Sequence, residues 1–146
     1  MKKFIVFSVS LLSILTISML QSCSTSEENN LLQESQSVTI TQNNLDKKWL
    51  TTFYGFTNAI SQASKTAYQV SSVEIHLNNG KYNIYDRYSE KKDKGTYLLD
   101  KNTLTLTSTE TGETILFKIE KLTQTEVFIS VINHKDLTAV ELIAIR

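Results

Sequence analysis

The chain has 146 residues, of which 15 are basic and 15 acidic, so its formal net charge is zero. This balance gives no electrostatic basis for binding nucleic acid or an anionic membrane surface. A single Cys excludes an internal disulfide framework and a structural zinc site built on several Cys residues. With no Pro and only four Gly, the composition excludes collagen-like and flexible-linker chains, and the length fits one domain.

The N-terminus has the pattern of a secretory signal peptide. Lys2 and Lys3 precede a mostly apolar run at residues 4–20, and a basic start before a short apolar core is typical of such signals. The run has about 17 residues, which is near the lower limit for a helix that spans a bilayer. A signal-anchor is therefore the alternative interpretation.

Residues 20–23, with the sequence Leu-Gln-Ser-Cys, resemble the lipobox of bacterial lipoproteins, because the only Cys of the chain stands three positions after an apolar residue. The resemblance implies that signal peptidase II removes residues 1–22 and that the Cys23 thiol carries a diacylglyceryl group, with a palmitate-type acyl chain on the amine in many lipoproteins. Each buried CH₂ adds about 0.8 kcal/mol of membrane affinity, so two or three chains anchor a protein stably. The implied location is the cell envelope, on the periplasmic or the external face of an outer membrane.

The residues that follow Cys23 are mostly polar, and we predict that residues 23–44 form a lipidated Cys and a tether without a core of its own. Glu27 and Glu28 resemble the surface-export tag of some Bacteroidetes lipoproteins, although any soluble tether carries acidic residues. The larger apolar residues of the tether are Leu31, Leu32, Val38 and Ile40.

From Lys48 onward, β-branched and aromatic residues alternate with polar ones, and turn-forming clusters recur about every 8–12 residues. Asn79 and Gly80 follow an apolar strand and predict a type I′ hairpin turn, since both accept a positive φ. At residues 58–68 the spacing of small apolar residues fits either a short helix or a longer loop that crosses a barrel end. The predicted strands are residues 49–56, 73–77, 82–88, 95–99, 103–107, 115–120, 127–131 and 137–145.

Eight short strands joined mostly by short turns predict an all-β fold, an antiparallel meander closed into a small up-and-down barrel. A β-sandwich is the alternative. Closure removes exposed strand edges, which a chain without Pro has fewer means to protect. The last predicted strand, residues 137–145, is apolar on both faces, so we expect it to be central or closing rather than a free edge.

Segments within residues 45–146 resemble the short lipocalin-like domain of Bacteroidetes lipoproteins. Residues 45–49 lead into a Trp, and residues 73–82 carry an apolar strand, an Asn-Gly turn and an aromatic residue. Residues 95–106 follow the pattern of glycine, aromatic residue, short turn and Thr/Leu strand, and residues 117–123 fit the tail. The resemblance implies a lipocalin-like barrel domain over residues 45–146.

A barrel of about eight strands holds one small ligand or is filled by its own side chains. We predict that a set of aromatic side chains faces the interior and lines a ligand site, the alternative being that they fill a solid core. The set is Trp49, Phe53, Tyr82, Tyr97 and Phe117, with Phe128 as a further candidate.

His76 and His134 lack the spacing of metal ligands, and no nucleophile elbow or phosphate loop occurs, so we predict no metal, no cofactor and no catalysis.

These features together predict a non-catalytic, membrane-anchored envelope lipoprotein that binds a small apolar ligand or a partner protein. An interior cavity of about 300 Å³ or more favours a ligand. The alternatives are a structural or accessory subunit of an outer-membrane complex and a barrel-type inhibitor of an extracellular enzyme. An inhibitor is expected to have a protruding loop, for which residues 56–70 and 88–95 are the candidates.

Overall fold

The computed structural model describes residues 36–146, so the predicted signal peptide, Cys23 and the first part of the predicted tether lie outside the described residues. Two helices and eight strands make up this part of the chain. In chain order they are α1 Gln42–Leu45, β1 Lys48–Phe56, α2 Gln62–Val70, β2 Val73–Asn78, β3 Lys81–Asp86, β4 Lys92–Asp100, β5 Thr103–Ser108, β6 Thr114–Leu122, β7 Glu126–Ile132 and β8 Leu137–Ile145.

The eight strands pair in chain order, each antiparallel to the next, and β8 pairs with β1 to close a barrel. This arrangement confirms the predicted meander and rules out the sandwich. β8 pairs with both β7 and β1, which confirms that it is a closing strand and not a free edge. At the β2–β3 hairpin, Asn79 and Gly80 have φ angles of 48° and 77°, the sign that a type I′ turn demands.

The barrel has three register shifts, two between β1 and β8 and one between β6 and β7, and such shifts change which side chains face the interior. On β1 the pairing register shifts between Thr51 and Phe53, so that Tyr54 faces the interior while Phe53 is 51% exposed on the outside. The prediction of Phe53 as an interior residue is therefore wrong, because strict alternation fails across the extra residue of a bulge. On β6 another shift, between Ile119 and Lys121, turns Leu122 into the core.

Helix α2 lies over one end of the barrel. Ser61 caps its N-terminus by accepting a hydrogen bond from the backbone N–H of Ser64 at 3.1 Å. The helix has no fully buried residue, and it is held by the ring of Tyr68, whose centroid lies 5.5 Å from that of Tyr54 and 5.9 Å from that of Phe56. The small apolar residues that predicted a helix, such as Ala63 and Ala67, are exposed instead.

Residues 36–47 close the opposite end of the barrel. The backbone N–H of Val38 donates to the carbonyl of Leu122 at 2.8 Å, and the side chains of Val38 and Ile40 pack against the core. Leu45 is buried and its carbonyl accepts a hydrogen bond from the Trp49 indole at 2.9 Å. Residues 36–44, which the sequence assigned to the tether, therefore belong to the folded unit.

Gly95 lies where neighbouring strands of the barrel wall approach closely. A Cβ at this position would lie 2.7 Å from Cε1 of Tyr82 and would overlap the carbonyl oxygen of Thr107. We expect Gly95→Ala to lower the free energy of unfolding by about 2 kcal/mol, since the backbone must move to admit the methyl group. Urea unfolding followed by circular dichroism measures this loss. Thr96→Ala, at an exposed neighbouring position, is the control, and an equal loss in both variants would contradict the assignment.

Candidate functional site: an apolar cavity in the barrel

The barrel encloses a cavity with a volume of about 190 Å³. Its wall is built by β1, β2 and the four strands from β5 to β8, with one contribution from each helix, while β3 and β4 supply no lining residue. Most of the lining is Leu, Ile and Val. The aromatic and hydroxyl-bearing lining residues are Trp49, Thr51, Tyr54, Tyr68, Ser71 and Phe117.

Only two of the aromatic residues predicted to line a site do so. Trp49 and Phe117 face the cavity, and the Trp49 indole N–H is already satisfied by the carbonyl of Leu45. Phe128 lies on the outer face, where its ring is 6.0 Å from the Lys121 ammonium, since the neighbouring Val127 and Ile129 point inward. Phe53 lies outside, beyond the bulge in β1, as described above.

Tyr82 is buried but belongs to a polar cluster rather than to the cavity wall. Its hydroxyl donates to Oδ2 of Asp93 at 2.7 Å, while the Ser108 hydroxyl donates to Oδ1 of the same carboxylate, also at 2.7 Å. Burial and the Asp93 carboxylate raise the pKa of Tyr82. Burial opposes the ionisation of Asp93, but the hydrogen bonds from Tyr82 and Ser108 outweigh it and lower its pKa. The hydroxyls of Tyr82 and Ser108 and the Asp93 carboxylate thus form hydrogen bonds with one another.

Tyr97 is the second buried tyrosine outside the cavity wall. Its hydroxyl donates to Oδ1 of Asp46, and the other oxygen of that carboxylate accepts the backbone N–H of Asn79 at 2.9 Å. Burial and the hydrogen bond to Asp46 raise the pKa of Tyr97 to about 12. Tyr97 and Asp46 therefore link β4 to the segment that closes this end of the barrel.

Tyr54 was not among the predicted site residues, yet it carries the most unusual group in the cavity. Its hydroxyl oxygen is inaccessible to solvent and has no hydrogen-bond partner among the described residues. Burial raises the pKa of Tyr54, and the hydroxyls of Thr51 and Ser71 partly oppose this as potential hydrogen-bond partners, although neither is in hydrogen-bonding geometry with the Tyr54 oxygen. Strict alternation along β1 would place the Tyr54 side chain on the outer face of the barrel. Because the sequence does not reveal the bulge, it contains no signal that identifies Tyr54 as a site residue.

Asp86, at the end of β3, forms hydrogen bonds with the segment that follows α2. Its carboxylate accepts hydrogen bonds from the hydroxyls of Ser89 at 2.6 Å and Ser71 at 3.0 Å, and from the backbone N–H groups of Tyr88 at 3.0 Å and Ser72 at 3.2 Å. These bonds, that of Ser89 above all, lower the pKa of Asp86 from 3.8 to about 2. Since Ser71 also lines the cavity, Asp86 helps to set the shape of the cavity at the α2 end.

The low pKa of Asp86 makes its contribution to stability dependent on pH. The unfolded chain binds the proton first as the pH falls, so this contribution is full above about pH 4 and is lost towards pH 2. We expect Asp86→Asn to lower the free energy of unfolding by about 1 kcal/mol at pH 7, a value reduced by solvent screening, and to have little effect near pH 2. Urea titrations at several pH values test this. Asp100→Asn, on an exposed residue, is the control, and a pH-independent effect of Asp86→Asn would refute the prediction.

The part of the chain that the structure describes contains no group of three or more His, Cys, Asp and Glu side chains arranged to bind a metal ion. Nδ1 of His134 accepts the backbone N–H groups of Asp136 and Leu137, both at 3.1 Å, and so shapes the β7–β8 turn. Across residues 36–146, neither helix has the length and apolar character needed to cross a membrane.

The fold and the cavity define the class of protein as a small closed β-barrel with an apolar interior site. None of the protein-family models, curated proteins and solved structures compared with the chain matches it. The functional assignment therefore depends on the chemistry of the cavity itself.

Proposed function

We propose that the barrel binds one small apolar molecule in its interior. The observation that carries this proposal is the cavity of about 190 Å³, whose wall is almost entirely aliphatic and aromatic. This volume is below the 300 Å³ or so at which ordinary ligand pockets begin. A dry cavity of about 150 Å³ in another protein binds benzene, so the site fits a molecule of about one ring rather than a fatty acid or a haem.

The energetics support occupation of the cavity. Enclosed apolar cavities made by core substitutions destabilise a fold by about 24 cal/mol per Å³. Domains of this size are stable by only about 5 to 15 kcal/mol. A ligand that fills the space restores the dispersion contacts that the lining side chains lack, and its binding stabilises the folded state.

We further propose that the barrel is the lipocalin-like module of a lipid-anchored envelope protein. The lipobox-like residues 20–23 and the lipocalin-like segments within residues 45–146 support this proposal. The inhibitor alternative is less well supported, because residues 62–70 form a helix packed over the barrel end and β4 already begins at Lys92.

A substitution that fills the cavity tests ligand binding. Leu106 is buried and lines the cavity, whereas Leu98 on the adjacent strand is 68% exposed. We expect Leu106→Trp to weaken the binding of toluene by at least about tenfold, since the indole occupies the space that the ligand needs, while Leu98→Trp leaves binding unchanged. Titration calorimetry measures the affinities in full-length chains that also carry Cys23→Ser, so that detergent does not compete for the site.

Thermal unfolding of each variant checks that the barrel remains folded. If wild-type barrels bind neither toluene nor benzene, or if both Trp variants bind as well as their parent, the proposed function is wrong. Native mass spectrometry of the protein purified from its host provides an independent test, since a co-purifying small molecule would identify the natural ligand.

The lipid anchor has a separate test at Cys23, which lies outside the described residues. We expect Cys23→Ser to abolish incorporation of radiolabelled palmitate and to shift the protein from the membrane fraction to the soluble fraction. Ser24→Ala, next to the same Cys, is the control and should label normally. Retention of label and of membrane association in Cys23→Ser would overturn the anchor.

A further inference from the structure

The Tyr54 hydroxyl is the group in the cavity to which a ligand can supply a missing hydrogen bond. The bulge in β1 turns Tyr54 inward, and its ring is fixed between the interior and the rings of Phe56 and Tyr68. The hydroxyl oxygen is therefore held at the α2 end of the cavity, near Thr51 and Ser71. Within the described residues it forms no hydrogen bond.

The other tyrosines of the interior differ in this respect. Tyr82 and Tyr97 are buried, whereas Tyr54 is partly buried, and each of the first two donates its hydroxyl proton to a carboxylate, Asp93 and Asp46 respectively. Buried hydroxyls are normally paired because an unpaired one loses its bonds to water without compensation. The fold thus pairs the hydroxyls of the two tyrosines that do not line the cavity, whereas the hydroxyl of Tyr54, one of the two tyrosines that do line it, has no partner among the described residues.

We propose that the ligand is a small neutral molecule that combines a single apolar ring with one hydrogen-bonding oxygen, and that this oxygen pairs with the Tyr54 hydroxyl. This inference rests on the proposed function and adds the chemical class of the ligand. Phenols, alcohols and ketones of about one ring belong to this class. The aliphatic wall holds the ring, and the tyrosine sets its orientation with the polar atom towards α2.

Charge in the surroundings favours a neutral ligand. Burial raises the pKa of Tyr54, and the Asp86 carboxylate adds to this. This carboxylate is joined to Ser71, which lines the same end of the cavity. A carboxylate or phenolate ligand would meet this negative charge and would also lose its hydration in an apolar site without a cation to pair with among the lining residues.

The test compares toluene with p-cresol, which differ by one hydroxyl, in the full-length chain with Cys23→Ser. We expect Tyr54→Phe to leave the Kd of toluene unchanged within about twofold and to raise the ratio of the p-cresol Kd to the toluene Kd by about tenfold, the effect of one lost hydrogen bond. Tyr85→Phe removes a hydroxyl outside the cavity and should leave both affinities unchanged. p-Toluate should bind at least about tenfold more weakly than p-cresol.

The outcomes separate this inference from the proposed function. If neither toluene nor p-cresol binds to the wild-type barrel, the proposed function fails. If both bind but Tyr54→Phe leaves their ratio unchanged, the cavity binds ligands and the role of Tyr54 is wrong. As a second measurement on wild-type side chains, the ¹³Cζ resonance of labelled Tyr54 should shift with p-cresol and not with toluene. An equal response to both would also refute the pairing.

Discussion

The pairing of β8 with β1 is the interaction on which the rest of the structure depends. It extends from Lys48 with Ile145 to Phe56 with Leu137, so the last strand meets the first along its whole length. With this closure every strand has two neighbours and the sheet has no free edge. Closure also encloses a space of limited size, which the side chains of eight short strands must fill or leave open.

The interior is divided into two parts with different chemistry. On the side of β3 and β4, Tyr82 and Tyr97 fill the space and bond to carboxylates, and Gly95 lets the Tyr82 ring lie against the barrel wall. The remaining strands face one another across the cavity with aliphatic side chains. Both ends are covered, one by α2 through Tyr68 and the other by residues 36–47. The small volume of this apolar space is consistent with the proposed ligand of about one ring.

Several features of the fold could be predicted because they depend on local chemistry. Alternating apolar residues and turn-forming clusters revealed eight strands, and the residues Asn79 and Gly80 revealed a hairpin through their tolerance of positive φ.

The residues that line the candidate site were predicted less well. Trp49 and Phe117 face the cavity, but Phe53 and Phe128 lie outside it and Tyr54 was missed. A bulge inserts one residue without any distinctive sequence, and every residue beyond it changes face.

The sequence by itself determined the class of fold, the number of strands and the order in which they pair, because these follow from residue periodicity and turn chemistry. The lipid anchor at Cys23 also comes from the sequence alone and stays a prediction. Tertiary structure decided the register between β1 and β8, the folding of Val38 and Ile40 against the barrel end, and the unpaired state of the Tyr54 hydroxyl. Each of these depends on which distant side chains meet in the closed barrel, and such contacts have no signature in the local sequence.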